Sequence, residues 1–503
     1  MTKTRTTTKT KINHYFGMLV LVTALAMAAS LLLAQAQEPA FAATTFTVNS
    51  TADNPDASGA DAICDVSPSV SGPQCTLRAA IEQANFTEGP NVIDFGISGT
   101  GVKTIQPSSA LPTITEQTTI DGYTQTGASP NTKAVGNDAS LKIVLDGSNA
   151  PQGTNGLKSV ASNFVVRGLV INRFPSTGIF VFGPTVNTRI EGNFVGTDPT
   201  GTIDRGNGSG GVDIEGDGVS QAVVGGTTPA SRNLISGNAR DGLFMGGSFS
   251  GRQADSMRVQ GNYVGTDRSG TRDLGNDGIG IAIAAASNMT VGGTTAASRN
   301  VVSGNGGVGV DLVVASGTKI LGNRIGTTAS GTGALGNADC GVLLEGQSSN
   351  NQIGDGTAAG SNTIAFNQVD GILLDGGGTG NRISRNSIFS NAALGIELFA
   401  PLQNAPVLTS AKTVSGKTTI KGTLAATPGQ TFTIEFFSNP SGTDEGKKFI
   451  GKKSLTTDAS GNASFAFVPA TAVSVGQTVT ATATSDATHD TSEFSAPRKV
   501  TSS

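Results

Sequence analysis

The 503-residue chain has no tryptophan, 3 tyrosines, 3 cysteines and 2 histidines, and each scarcity removes a kind of chemistry. His14 falls within the first 42 residues and His489 near the C-terminus, so the long middle of the chain has no histidine base and no histidine metal site. Beyond residue 42 only Tyr123 and Tyr263 join a scatter of phenylalanines, many on apolar strand faces. That weakens a lectin built on exposed aromatic platforms. After residue 34 no apolar run could span a bilayer as a helix. Basic charge is not in excess either: the formal net charge is −4, and about −7 without residues 1–42. A surface of that sign does not track nucleic-acid phosphates, so no nucleic-acid partner is expected.

What is present begins with an export signal, residues 1–42. Lys3, Arg5, Lys9 and Lys11 precede the apolar core "GMLVLVTALAMAASLLLA", and "AFA" at 40–42 offers a small-residue cleavage site. The expected location is therefore secreted or cell-surface associated, with no transmembrane domain once the signal is removed; the alternative is that the apolar run is retained as an anchor. The C-terminal "APRKVTSS" carries no sorting motif. In an exported protein Cys64 and Cys75, close in sequence, read as a disulfide, and Cys340 as an unpaired thiol.

The glycines, 69 of them, follow no triplet and cluster with Asn, Asp and Thr at turns. "VGGTTPASRNLISGN" at 224–238 returns as "VGGTTAASRNVVSGN" at 291–305 and, more loosely, as "IGDGTAAGSNTIAFN" at 353–367. A second block, "GNFVGTDPTGT", recurs in step with it. Within these long repeats, "GVDIE", "GIAIA", "GVDLV", "GVLLE" and "GILLD" recur at close to thirty residues, apolar at the first and third positions after Gly. Alternation of this kind puts one face inward and the other outward. A unit of thirty residues with short strands and no helical period cannot close its own core, so the units must stack. The expected fold is all-β: a right-handed parallel β-helix of about ten coils over 111–400. Residues 43–110 form its N-terminal cap and first coils, and a small β-sandwich follows over 404–503. Repeated asparagines suit stacked ladders of amides.

In "CTLRAAIEQAN" (75–85), Thr76 is a helix N-cap and Leu77, Ala80, Ile81 and Ala84 form an apolar stripe able to cover the first coil. With "LPTITEQTTIDGYTQTG" (111–127), the "GTTPASRNLISGN" blocks and the "ATATSDATHDTSEFS" tail, the chain resembles secreted bacterial parallel β-helix repeat proteins that open on a Cys-Ser-Leu-Arg-Glu-Ala-Ile motif; Thr76 and Ala79 depart from it. The resemblance implies a pectate-lyase-like fold, an extracellular setting and an Ig-like C-terminal domain. It supplies no catalytic residues.

Candidate sites come from the outward positions. Glu345 of "GVLLE" and Asp375 of "GILLD" fall at the same place in successive coils, and Asp213 and Glu215 flank Ile214. Neighbouring carboxylates repel unless a shared proton or a cation such as Ca²⁺ relieves them. These four are the catalytic candidates, with Glu345 and Asp375 the Ca²⁺ candidates; no cofactor-binding motif is present. Asp198 and Asp267 read as turn caps, and Arg232 and Arg299, lost as Gly360 in the third copy, as cover for the coil surface. The expected function is a non-enzymatic interaction or structural module that meets extracellular polysaccharide or a cell-surface component. The alternatives are a lyase or glycoside hydrolase acting on acidic glycans and a non-catalytic carbohydrate-binding protein.

Overall fold

The computed structural model describes residues 43–502 apart from residues 60, 68, 70–73, 401, 441, 442 and 444; the proposed export signal lies outside the described residues. Three parallel sheets wrap one interior. The first holds 11 strands, from Thr44–Val48 to Arg382–Ile383, and the second 10, from Lys103–Ile105 to Ser387–Phe389. The third runs from Leu157–Ser159 to Ile396–Leu398, with a short flanking strand, Ala254–Asp255. Neighbours in every sheet are parallel and follow chain order, which makes the rod a right-handed parallel β-helix. Eleven stacked strands span about 48 Å.

Alternation decides what fills the rod. Val212 and Ile214, Leu243 and Met245, Ile281 and Ile283, and Val310 and Leu312 are fully buried and join one continuous core. Each large aliphatic chain removed from water contributes about 1.5–3 kcal/mol, and the stacking repeats that contribution coil after coil.

The asparagines form two long ladders. One runs through Asn193, Asn233, Asn262, Asn300, Asn323, Asn362 and Asn386; the other through Asn207, Asn238, Asn276, Asn305, Asn337, Asn367 and Asn391. Asn262 shows the pattern. Its backbone N–H donates to Asn300 Oδ1 (2.9 Å), its side-chain amide donates to Asn300 Oδ1 (3.2 Å) and Val224 O (2.8 Å), and its own Oδ1 accepts from Asn233. A buried amide without partners would cost several kcal/mol, so each ladder is stable only as a continuous run. Gly225, at φ +83°, shows why the repeat needs glycine: a Cβ there would collide with the carbonyl of Gln260 and the amide oxygen of Asn262.

The N-terminal cover is the helix Leu77–Phe86, with Thr76 accepting from Ala79 N (3.0 Å) and Leu77, Ala80, Ile81 and Ala84 buried in the rod core. Arg78 fixes it from outside through Asp53 (2.8 Å) and the carbonyls of Ser109 and Ala110. Cys64 and Cys75 form a disulfide.

Beyond residue 404 the sheets turn antiparallel. Strands Val407–Val414, Lys417–Ala425 and Asn462–Phe467 pack against Thr431–Asn439, Lys448–Thr456, Thr478–Ser485 and Arg498–Lys499 around Ile420, Phe432, Phe436, Val479 and Ala481. The acids of this sandwich close the rod. Glu435 accepts from Ser384 Oγ and Arg385 N (both 2.7 Å), Asp490 from Gly380 N (2.6 Å), Glu493 from Leu398 N (3.1 Å) and Glu445 from the end of the second ladder at Asn391 Nδ2 (2.9 Å). The last coil would otherwise present a row of unpaired N–H groups, and carboxylates are strong acceptors for them. Thr478–Ser485 is buried on both faces, with Val479, Ala481 and Ala483 in the sandwich core.

Candidate functional site: the outer face of the third sheet

The inward residues of the third sheet are aliphatic, so its outward residues are free to carry chemistry. In register they form two columns. One reads Lys158, Phe180, Asp213, Phe244, Ala282, Asp311, Leu343, Leu373, Glu397; the other reads Phe182, Glu215, Gly246, Ala284, Val313, Glu345.

At the N-terminal end the face is aromatic. The rings of Phe180 and Phe182 stack at 6.0 Å, Lys158 Nζ lies 5.8 Å from the Phe180 centroid, and Phe182 is 47 % exposed. Asp213 stands between Phe180 and Phe244, accepting from Thr177 Oγ1 (2.7 Å). Burial pushes the Asp213 carboxyl up to about 6 against that hydrogen bond, and the charges of Glu215 and Asp241 add to the rise. Glu215, two residues along the same strand, lies about 6.6 Å away in backbone spacing.

The second acid was not singled out from sequence. Asp311 is 4 % exposed, and its Oδ1 has no hydrogen-bond partner among the described residues. Burial, then the charges of Glu345 and Asp241, push it up to about 7. The signal was present in "GVDLV", which repeats the Asp of "GVDIE" at the same outward position. Asp213 and Asp311 are separated by three strand steps, about 14 Å, beyond the 5–9.5 Å that two carboxyls flanking one glycosidic bond require.

The predicted pair Glu345 and Asp375 is not joined by a ladder pairing, which ends at Leu344↔Leu374; Asp375 is exposed just past the strand. Among the described residues no group of three or more His, Cys, Asp or Glu side chains is placed to hold a metal ion. The two turn aspartates behave as expected. Burial works against their charge, but hydrogen bonds from Thr200 and the N–H groups of Thr202 and Ile203 hold Asp198 below the usual carboxylate range, and Ser269, Thr271 and Arg272 do the same for Asp267. Cys340 is buried and unpaired, its thiol pushed up to about 12 by burial.

The repeat block lies partly under cover, and one sequence reading of it needs correction. Leu234 is buried, but outside the rod interior: it lies on the outer face of the second sheet with Phe194 and Tyr263, under residues 139–141. Arg232 is not surface cover; it is 4 % exposed and bonded to the chain that overlies it. Both follow from segment 125–142, which folds back over the second sheet and has no counterpart in the repeat.

No protein-family model matches the chain, and no curated protein does. Among solved structures it is similar to the A-module of the Azotobacter vinelandii mannuronan C-5 epimerase AlgE4, at 17% identity over 68% of this chain and 96% of that one, with a TM-score of 0.31. It is also similar to the enzymatically active domain of tailspike protein 4 of bacteriophage CBA120, at 12% identity over 86% of this chain and 68% of that one, with a TM-score of 0.28. Superpositions of this quality leave the chemistry to be argued from the chain's own residues.

Proposed function

We propose that the protein is an extracellular β-helix that binds neutral glycans along the outer face of its third sheet and acts without catalysis. The observation that carries this reading is the register of Phe180 and Phe182, Asp213 and Glu215, and Phe244 on three successive coils. Aromatic faces stack on the C–H faces of sugars, and the carboxyls beside them accept or donate hydrogen bonds to hydroxyls. A face rich in acids repels polyuronates, so a neutral chain fits it better. The Cys64–Cys75 disulfide belongs to an oxidising compartment, and among the described residues no helix is long and apolar enough to cross a membrane. Membership of the secreted repeat proteins named above, the Ig-like character of the sandwich and the export signal belong to the same proposal.

The test is retention of the purified chain on neutral glucans and mannans compared with polygalacturonate and alginate, with and without Ca²⁺. Retention on a neutral polymer, lost in Phe182→Ala, is expected; retention on polyuronates alone would overturn the reading.

One observation favours a second, hydrolytic reading. Asp213, pushed up to about 6, holds a proton in mildly acidic solution, with Glu215 two residues along the same strand on the same outward face. New reducing ends that vanish in both Asp213→Asn and Glu215→Gln would select it over pure binding.

A further inference from the structure

The outer face of the second sheet carries a different surface. Its outward row reads Phe194, Leu234, Tyr263, Val301, Arg324. Segment 125–142 covers the first part of that row, with Ala139 and Leu141 packed on Phe194, Leu234 and Tyr263. Arg232 fastens the cover. Its guanidinium lies 4.6 Å from the Tyr263 ring centroid and donates to the carbonyls of Lys133 (3.1 Å), Ala134 (2.9 Å) and Gly136, while Nε donates to Gly261 O (3.1 Å).

Arg299 occupies the same place in the next copy of the repeat. Its Nε donates to Gly322 O (2.7 Å), as that of Arg232 does to Gly261. There the cover has ended. Among the described residues no oxygen accepts from the terminal nitrogens of Arg299, and Arg324 has neither a hydrogen-bond acceptor nor an ion-pair partner. Four arginines elsewhere in the rod do have acidic partners: Arg78 with Asp53, Arg167 with Asp121, Arg173 with Asp146 and Arg272 with Asp267. Burial and then the charge of Arg299 both weaken the protonated form of Arg324. Two half-buried like charges with no counter-ion destabilise each other, and an anion between them removes that repulsion.

Between them lies a cleft of about 200 Å³, walled by Val135, Tyr263, Ala296, Ala297, Val301 and Ala329. Its volume is below that of pockets for drug-sized ligands, which start at about 300 Å³, and suits a single ring. Guanidinium forks match a planar carboxylate with two parallel hydrogen bonds. At Arg232 the chain itself supplies oxygens to the fork; at Arg299 that position is open.

We propose that the cleft between Arg299 and Arg324 binds a small organic carboxylate carried on a compact body, at a site separate from the third-sheet face. The ring lies against Tyr263 and the alanines, and the carboxylate bridges the two guanidiniums.

The test is calorimetric titration of the full chain at low ionic strength with sodium glucuronate, glucose and sodium sulfate. Glucuronate is expected to bind and raise Tm, glucose not to bind, and sulfate to bind more weakly than glucuronate. Arg324→Gln and Arg299→Gln each weaken glucuronate binding by about tenfold, while their ligand-free Tm stays at or above that of the wild type because the repulsion is relieved. Ala296→Tyr, on the exposed wall, fills the cleft with both charges intact and abolishes binding. Equal affinity for sulfate, binding indifferent to these variants, or no glucuronate binding up to about 20 mM would each overturn the proposal. Loss of neutral-glycan retention in Phe182→Ala leaves this site intact, so the two readings fail independently.

Discussion

The second and third sheets share a backbone ladder and an aliphatic interior, yet their outer faces have opposite chemistry. On the third sheet Asp213 and Asp311 are forced toward neutrality by burial and by other acids. On the second, Arg299 and Arg324 crowd one another around a cleft. The inward positions are fixed by core packing, so they repeat; the outward ones are released from that duty and diverge. A β-helix thus separates what holds it together from what it can bind.

The comparison breaks altogether if the shared scaffold is cut. Asn262→Ala removes bonds to Val224 and Asn300 and strands the amide of Asn233, so chemical denaturation should show a loss of about 4 kcal/mol, with both faces impaired. The next effect belongs to the third face. Asp311 has a folded pKa of about 7, raised from the ordinary carboxylate value, so the native state holds a proton that the unfolded chain has lost. Stability should therefore fall as pH rises from about 4 and level off above about 7, by an amount on the order of 4 kcal/mol. Asp311→Asn should flatten that slope in denaturation curves taken across the window and be the more stable protein at pH 8.

On the second face the two copies of the repeat sharpen the contrast. Arg232→Met should loosen residues 131–136, costing about 2 kcal/mol and opening that segment to limited proteolysis. Arg299→Met, at the equivalent place without a cover, should change stability by less than about 0.5 kcal/mol. Phe182→Ala should have the smallest effect on folding, also under about 0.5 kcal/mol, because the ring is 47 % exposed, while weakening glycan retention by about tenfold.

Much of the scaffold was legible in the sequence, because stacked coils require the same residue at the same turn. The Asn233 and Asn238 positions, the helix begun by Thr76 and the alternating sandwich strands all announce themselves through period and capping. The sites were less legible. Asp213 and Glu215 were visible as an outward pair, but Asp311 required knowing that its outward position, like that of Ala282 beside it, is buried. The role of Arg232 depends on a segment about a hundred residues away, and that of Glu435 on a coil fifty residues before it. Contacts between elements that do not repeat leave no period to read.

The absence of tryptophan provides the most direct test of the glycan-binding face. Phe182→Trp places a single fluorophore on the proposed surface, and Ile203→Trp, 48 % exposed in a loop beside the second sheet, serves as its control. Titration with neutral oligosaccharides should give a saturable blue shift from the first and none from the second. A silent Phe182→Trp, or a shift confined to Ile203→Trp, would contradict the account.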